Sequence, residues 1–464
     1  ARLLNCFFEQ APQNAKSQVI LRRCAGIRPF TDVLGGSGRT RGQLVMGGVL
    51  YAVIGAELFQ IDADGSETSL GDIPGSQLVS MSCNPEGTLV IVTPEDGFAY
   101  HWSDQAPMTD VTQIVDATFL AFGGVGDVVF IDGFFIFRVL ESARFFHSGP
   151  NALTFNALDV ATAEGAPDNL VGMIADHRDL ILPGTDSMEI WYNADNETGS
   201  VFSRSPDGFL EQGCAASRSL LKQDNSVFWL CNDLTFRRLK GIVGEKISNY
   251  GIDGIVQTIA KSMGGVSDCF GFSYTQEGHL MAAWTFPSAG RTVVYDCSTG
   301  EWHERDSQSQ IGGAGIWRPS CVAIAYGKQT VGDYISGQIG FFDADHFTEF
   351  DDEQPQRVSW TYQTVYAEAQ RVNHRRFQLV TNVGSGVISG QGENPLATLK
   401  ISDDGGNTYR TLPLRSLGRR GNYKARAVWW NLGSAADRGY RVEVTDPIPL
   451  FTMTTLLEAT GARP

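Results

Sequence analysis

The chain is short of charge, of helical periodicity and of every compact catalytic motif. Only 19% of its 464 residues are Asp, Glu, Lys or Arg, and 11% are aromatic, so it is able to bury a core large enough to offset ordering entropy. No apolar run reaches the roughly 18–20 residues of a membrane span. The most apolar stretch, 127–140, is interrupted by Asp132 and Arg138. The opening ARLLNCFFEQ lacks the basic segment and apolar run of a signal peptide. The chain starts at Ala1 without an initiator methionine, and the expectation is that a preceding segment has been removed.

The eight cysteines (Cys6, Cys24, Cys83, Cys214, Cys231, Cys269, Cys297 and Cys321) contain no CxxC, which excludes a zinc ribbon and a thioredoxin-like motif. Several sit in apolar runs, where a thiol acts as a small core residue, so reduced, buried cysteines matured in a reducing cytoplasm are expected. The seven histidines are well separated and form neither HExxH nor His-x-His, which leaves a mononuclear metal site without support. GxSxG and GxxxxGK[ST] are missing, and GGVG at 123–126 precedes a strand pattern instead of a helix. The acid-rich segments 301–306 and 347–353 read as solvated turns, because glycoside hydrolysis needs two carboxyl groups held across a cleft. The expectation is a protein without catalytic, cofactor or metal site.

What the chain has is glycine (52 residues) and a recurring pattern of short β-branched or aromatic runs separated by Gly, Asn or Asp turns. The stretch 43–71 shows one unit of four short strands, too small to close a core alone. Similar units begin near Leu78, Val128, Val171, Leu220, Cys269 and Cys321, at spacings of 35–52 residues. Four-stranded units at this spacing predict an all-β fold, a β-propeller of six to eight blades over 43–354. Residues 1–42 are expected to form an N-terminal arm and closing strand. From 355 to 464 the strands lengthen, and Tyr440, Val442 and Val444 alternate with Arg441, Glu443 and Thr445. This predicts a C-terminal β-sandwich-like module.

Charge follows the same division. The formal net charge is −16, yet 371–441 holds twelve Lys/Arg against four acids, a local +8 that leaves −24 on the remainder. Global acidity argues against a protein that coats nucleic acid. The cluster Arg415, Arg419, Arg420, Lys424 and Arg426 is the candidate contact with another subunit or an adaptor. The segment 402–409 fits the Asp-box pattern S-x-D-x-G-x-T-W with Tyr409 in the last place. Ser402, Asp404, Gly406, Thr408 and Tyr409 are therefore expected to build a structural turn, not a catalytic site.

Taken in order, several phrases resemble one family across nearly the whole chain. They are LYAVIGAELFQIDADGSETSLGDIPG (50–75), MEIWYN (188–193), GFLEQGCAA (208–216), DNSVFWLCNDLTFRRLKG (224–241) and KISNYGID (246–253). YTQEGHLMAAWTFP (274–287), TVVYDCSTGEWHERDS (292–307), GDYISGQIGFFD (332–343) and WWNLGSAADRGYRVEVTDP (429–447) follow, as does the pattern around Asn5 and Glu9. The chain resembles the packaged-DNA stabilisation proteins of short-tailed bacteriophages, the tail hub or nozzle proteins (podovirus tail accessory factors). It departs from them at Cys231, where glycine is expected, and in an apparent insertion at 389–395. The resemblance implies a structural, non-enzymatic virion tail component assembled in the host cytoplasm. It implies a homohexameric ring below the portal and head-to-tail adaptor ring, bearing a tail needle or plug and tailspikes or fibres. Double-stranded DNA would pass through the channel without specific binding, along walls where acids dominate. The alternative is a glycan-binding or glycan-degrading propeller on the tail.

Overall fold

A computed structural model describes residues 2–11, 14, 17–32, 38–104, 110–307, 315–351, 354–362, 365–366 and 370–461. The chain forms two compact units that interleave in sequence: 29–290 with 316–342, and 1–28 with 291–315 and 343–464.

The first unit is a β-propeller with seven sheets among its described residues. Five are four-stranded antiparallel meanders, and their leading strands are Thr40–Met46, Ser80–Cys83, Val125–Ile131, Ile174–Asp176 and Leu221–Gln223. The sixth sheet contributes the hairpin Phe270–Gln276/His279–Phe286. The seventh is Pro319–Ala325, Lys328–Asp333 and Gln338–Asp343, with the early strand Gly26–Asp32 paired beside it. Pro319–Ala325 packs against Thr40–Met46, so the last sheet returns to the first. Phe30 seals this junction: its ring lies 6.2 Å from that of Tyr326 and 6.5 Å from that of Phe341, with Lys328 Nζ over it at 4.7 Å.

Each sheet is sandwiched between neighbours, so its second strand reads as a continuous apolar run instead of an alternating one. Val49–Ile54 (VLYAVI) is buried from Leu50 onward, and Thr88–Thr93 (TLVIVT) from Leu89 onward. The hydrophobic core is correspondingly divided between sheets. Tyr51 and Leu89 meet between the first and second, Val92 and Phe137 between the second and third, and Leu50 and Ile339 where the ring closes. The hairpins that open the sheets recur too. Gly47–Gly48, Asp132–Gly133, Asp224–Asn225, Glu277–Gly278 and Tyr326–Gly327 each place two successive residues at positive φ, the backbone a two-residue type I′ turn requires.

Glutamines tie the sheets together. Gln43 Nε2 donates to the carbonyls of Cys321 (3.1 Å) and Thr330 (2.7 Å), and Gln223 Nε2 to those of Tyr274 (3.0 Å) and Met281 (3.2 Å). Gln329 both donates to Thr275 O (2.6 Å) and accepts from Thr275 N (2.7 Å). Among the described residues one helix exceeds three turns, Tyr250–Met263. Asn249 Oδ1 caps it by accepting from Ile252 N at 3.1 Å, Gly264 ends it in the left-handed conformation, and Ile252, Val256 and Ile259 are its buried stripe.

The second unit is a β-sandwich. One sheet runs Cys6–Gln10, Val19–Arg23, Phe451–Gly461, Val372–Thr381, Ala427–Ala435. The other runs Arg2–Leu4, Val358–Thr361, Asp437–Val444, Leu396–Ser402, Arg410–Thr411, and Glu301–Arg305 lies parallel to Arg2–Leu4. The inner faces close over Leu3, Phe377, Leu399, Trp429, Tyr440 and Val442. The alternation at 440–444 holds: Tyr440, Val442 and Val444 are buried, and Arg441 and Glu443 are partly exposed.

Asn5 fastens the N-terminal strands to this unit. It is fully buried at φ 54°, a left-handed conformation that asparagine tolerates better than most residues. Its Nδ2 donates to Asp306 O (3.0 Å) and Arg357 O (2.9 Å), and its Oδ1 accepts from Asp306 N (3.1 Å). All eight cysteines are free thiols, five of them buried.

Candidate functional site

Three places in the protein concentrate polar or charged side chains: the Asp-box turn, the basic strip that follows it in the chain, and the centre of the propeller.

The Asp-box turn follows the strand Leu396–Ser402. Asp404 is exposed, and its carboxylate accepts from Thr408 Oγ1 (2.5 Å), Thr408 N (2.9 and 3.0 Å) and Ser402 Oγ (2.7 Å). These bonds, led by the Thr408 hydroxyl, hold its pKa down to about 2. Gly406, at φ 94°, donates its N–H to Ser402 Oγ at 2.9 Å. Tyr409 is half-buried under the Arg441 guanidinium, 3.8 Å from the ring centre. All of Asp404's contacts are to its own turn, so the geometry is that of a hairpin brace.

The basic strip is a loop anchored by fully buried Leu417. Arg415, Arg419, Arg420, Lys424 and Arg426 are all exposed. Arg415 Nε donates to Val428 O (2.8 Å), and Arg419 lies 3.7 Å from Glu393. No ion pair engages Arg420, Lys424 or Arg426 among the described residues. Leu414 and Tyr423, 52% and 75% exposed, sit in the same loop, so the surface combines cations with apolar area. That composition suits contact with an acidic protein face.

Two of the three acids of 301–306 have structural partners. Glu304 sits between Arg2 (2.6 Å) and Arg291 (2.8 Å), and Asp306 pairs with Arg357 at 3.2 Å. In 347–353, Glu349 is buried beside Arg305, Ser307 and Gln356, while Asp352 and Glu353 lie outside the described residues. No cluster of His, Cys, Asp and Glu suited to a metal occurs among the described residues.

The propeller centre carries charged groups that the sequence patterns did not single out. Buried Arg41 donates to four backbone carbonyls, those of Gly55, Ile73, Pro74 and Gln77, at 2.7–3.0 Å. Burial lowers its pKa. Asp127 and Arg138 face each other across one hairpin, 2.6 Å apart and both buried, and Arg218 approaches Asp127 to 3.7 Å. The signal was one charge of each sign placed symmetrically about the Asp132–Gly133 turn in an otherwise apolar hairpin.

Family models described as "Bacteriophage P22 Gp10, beta-propeller" and "Bacteriophage P22 Gp10, beta-sandwich" match residues 3–347 and 357–458. The chain belongs to the P22 Gp10 family. It is thus a structural protein of the phage tail, with the all-β propeller and sandwich expected from its sequence. No curated protein sequence matches this P22 Gp10 family member. Among solved structures it is similar to BamB from Moraxella catarrhalis, at 11% identity over 74% of this chain and 98% of that one, with a TM-score of 0.42. A streptogramin B lyase shares 9% identity over 73% of this chain and 98% of its own, with a TM-score of 0.40. The assignment of this P22 Gp10 relative rests on the family match and not on these distant likenesses.

Proposed function

We propose that this chain is the hub, or nozzle, of a short-tailed phage virion. Six copies close into a ring beneath the portal and its adaptor ring, extend the DNA channel, retain the packaged genome, and carry the needle or plug and the spikes or fibres. The protein catalyses no reaction. The observation that carries the reading is the match of both P22 Gp10 family models, in order, over 3–347 and 357–458.

The charge distribution supports it. A net of −24 outside 371–441 makes walls that repel phosphates, along which a duplex slides without sticking. A closed ring needs a heterologous interface between two different faces of the protomer, and a +8 segment opposite acidic surface supplies such a pair. Purified protein mixed with adaptor rings is expected to join them as six copies, read by mass and by electron microscopy. A protein that stays monomeric with correctly assembled adaptor rings contradicts the ring.

A further inference from the structure

We propose that the propeller holds a binding site for a small tetrahedral oxyanion, of the phosphate or sulfate class, centred on Arg218. This site is independent of the tail role argued above. Arg218 lies in the single 3₁₀ turn Ser217–Ser219 that leads into the fifth sheet, and its side chain is one-quarter exposed. Its Nη2 donates to Leu78 O at 3.3 Å, and its Nη1 is 3.7 Å from Asp127 Oδ1. The other oxygen of Asp127 already accepts from Arg138 Nε at 2.6 Å. Among the described residues two guanidinium groups therefore share this one carboxylate, which leaves the three groups with a net positive charge where Arg218 is only one-quarter exposed. Such a charge is costly unless an anion joins it.

The cavities beside Arg218 give a small anion room. Arg218 lines two chambers of about 390 Å³ each. One is walled by Arg41, Gln43 and Phe270. The other brings Arg218 together with Arg39, Ser76, Ser217, Ser267 and Asp268. In the second chamber Arg39 is fixed by stacking on Tyr334 at 4.4 Å and by donating from Nε to Ser76 O at 3.0 Å. Asp268, the carboxylate among the described lining residues, accepts from Ser288 N at 2.7 Å. Glu95 Oε2 already accepts from Ser76 N (2.8 Å), Ser76 Oγ (3.4 Å) and Gln77 N (3.2 Å), so the donors left for a ligand are the two guanidinium forks and the hydroxyls of Ser217 and Ser267, a set that suits a compact oxyanion. A chamber of this volume admits an ion with a few waters and excludes a DNA duplex. Desolvation lowers the Arg218 pKa, Asp127 partly opposes this, and Arg138 adds to the lowering.

The test is calorimetric titration of the full chain with inorganic phosphate and with sulfate at fixed ionic strength. One saturable site is expected, and Arg218→Gln should weaken it at least tenfold. Arg218→Lys, which keeps the charge but loses the fork, should fall between. Should both Arg218 variants fail to fold, Ser267→Ala decides, and weaker binding is expected. A short DNA duplex added to the phosphate-loaded protein should leave the phosphate in place. Absence of saturable binding to the wild type, undiminished binding in the variants that fold, or displacement by the duplex overturns the proposal.

Discussion

At the scale of single residues, stability rests on a few polar side chains that complete the backbone of distant segments. Asn5 is the clearest case, because its amide satisfies Asp306 and Arg357 while its own backbone is left-handed. Asn5→Ala is expected to cost about 2–3 kcal/mol, since it strands buried partners and puts Ala at positive φ. Asn5→Gly should cost less, because glycine relieves the backbone. Chemical denaturation of the three proteins checks the order. Asp404 makes a pH prediction. Its folded pKa of about 2 lies below the ordinary 3.8, so its contribution is complete above about pH 4 and is lost as pH falls through 2. Asp404→Asn should lower the melting temperature at neutral pH and flatten its acid dependence between pH 4 and 2. An unchanged acid profile would contradict the brace. The eight-residue pattern from Ser402 to Tyr409 made this turn readable in advance, because the bonds to Asp404 are all local, whereas the Asp403–Arg438 pair and the Tyr409–Arg441 stack were not readable. The Asp127, Arg138 and Arg218 group was not readable, because Arg218 comes from two sheets further along the chain.

At the scale of elements, the sheets were legible, and for their closure the sequence offered only an N-terminal closing strand somewhere in 1–42, not its partners. The units expected to begin near Gln43, Leu78, Val128, Val171, Leu220, Cys269 and Cys321 coincide within a few residues with leading strands at Thr40, Ser80, Val125, Ile174, Leu221, Phe270 and Pro319. In five of the seven sheets turn chemistry did this, since the two residues between strands one and two take positive φ whatever the tertiary context. The helix Tyr250–Met263 was missed, although Asn249 and Gly264 bracket it, because its apolar stripe is only three buried residues long. Partners at ring closure lie some 300 residues apart, and no local pattern reports such a contact. Phe30 gives that closure a test. Phe30→Ala removes packing on Tyr326 and Phe341 and the Lys328 contact, and should destabilise the propeller by about 1–2 kcal/mol, less than a fully buried Phe→Ala. Urea unfolding followed by tryptophan fluorescence measures it, and an unchanged midpoint would show that Phe30 does not hold the ring shut.

At the scale of the whole molecule, the account joins family membership to charge. The bulk value of −16 conceals −24 and +8, and the proposed channel and ring interface rest on the second pair of numbers. If the loop 415–426 is the electrostatic contact, reversing Arg419, Arg420, Lys424 and Arg426 to Glu should weaken ring assembly most at low salt and leave the fold intact. Arg415 is left alone because it also braces Val428. Equal assembly of wild type and variant across a salt series would remove the loop from the interface. The central claim, that this protein keeps the genome inside the capsid, is tested most directly by measuring DNA in particles assembled without it and again after the purified protein is added during assembly. Particles lacking the protein should leak their DNA, and particles that received it should retain it. Full genomes in particles without the protein would contradict the account.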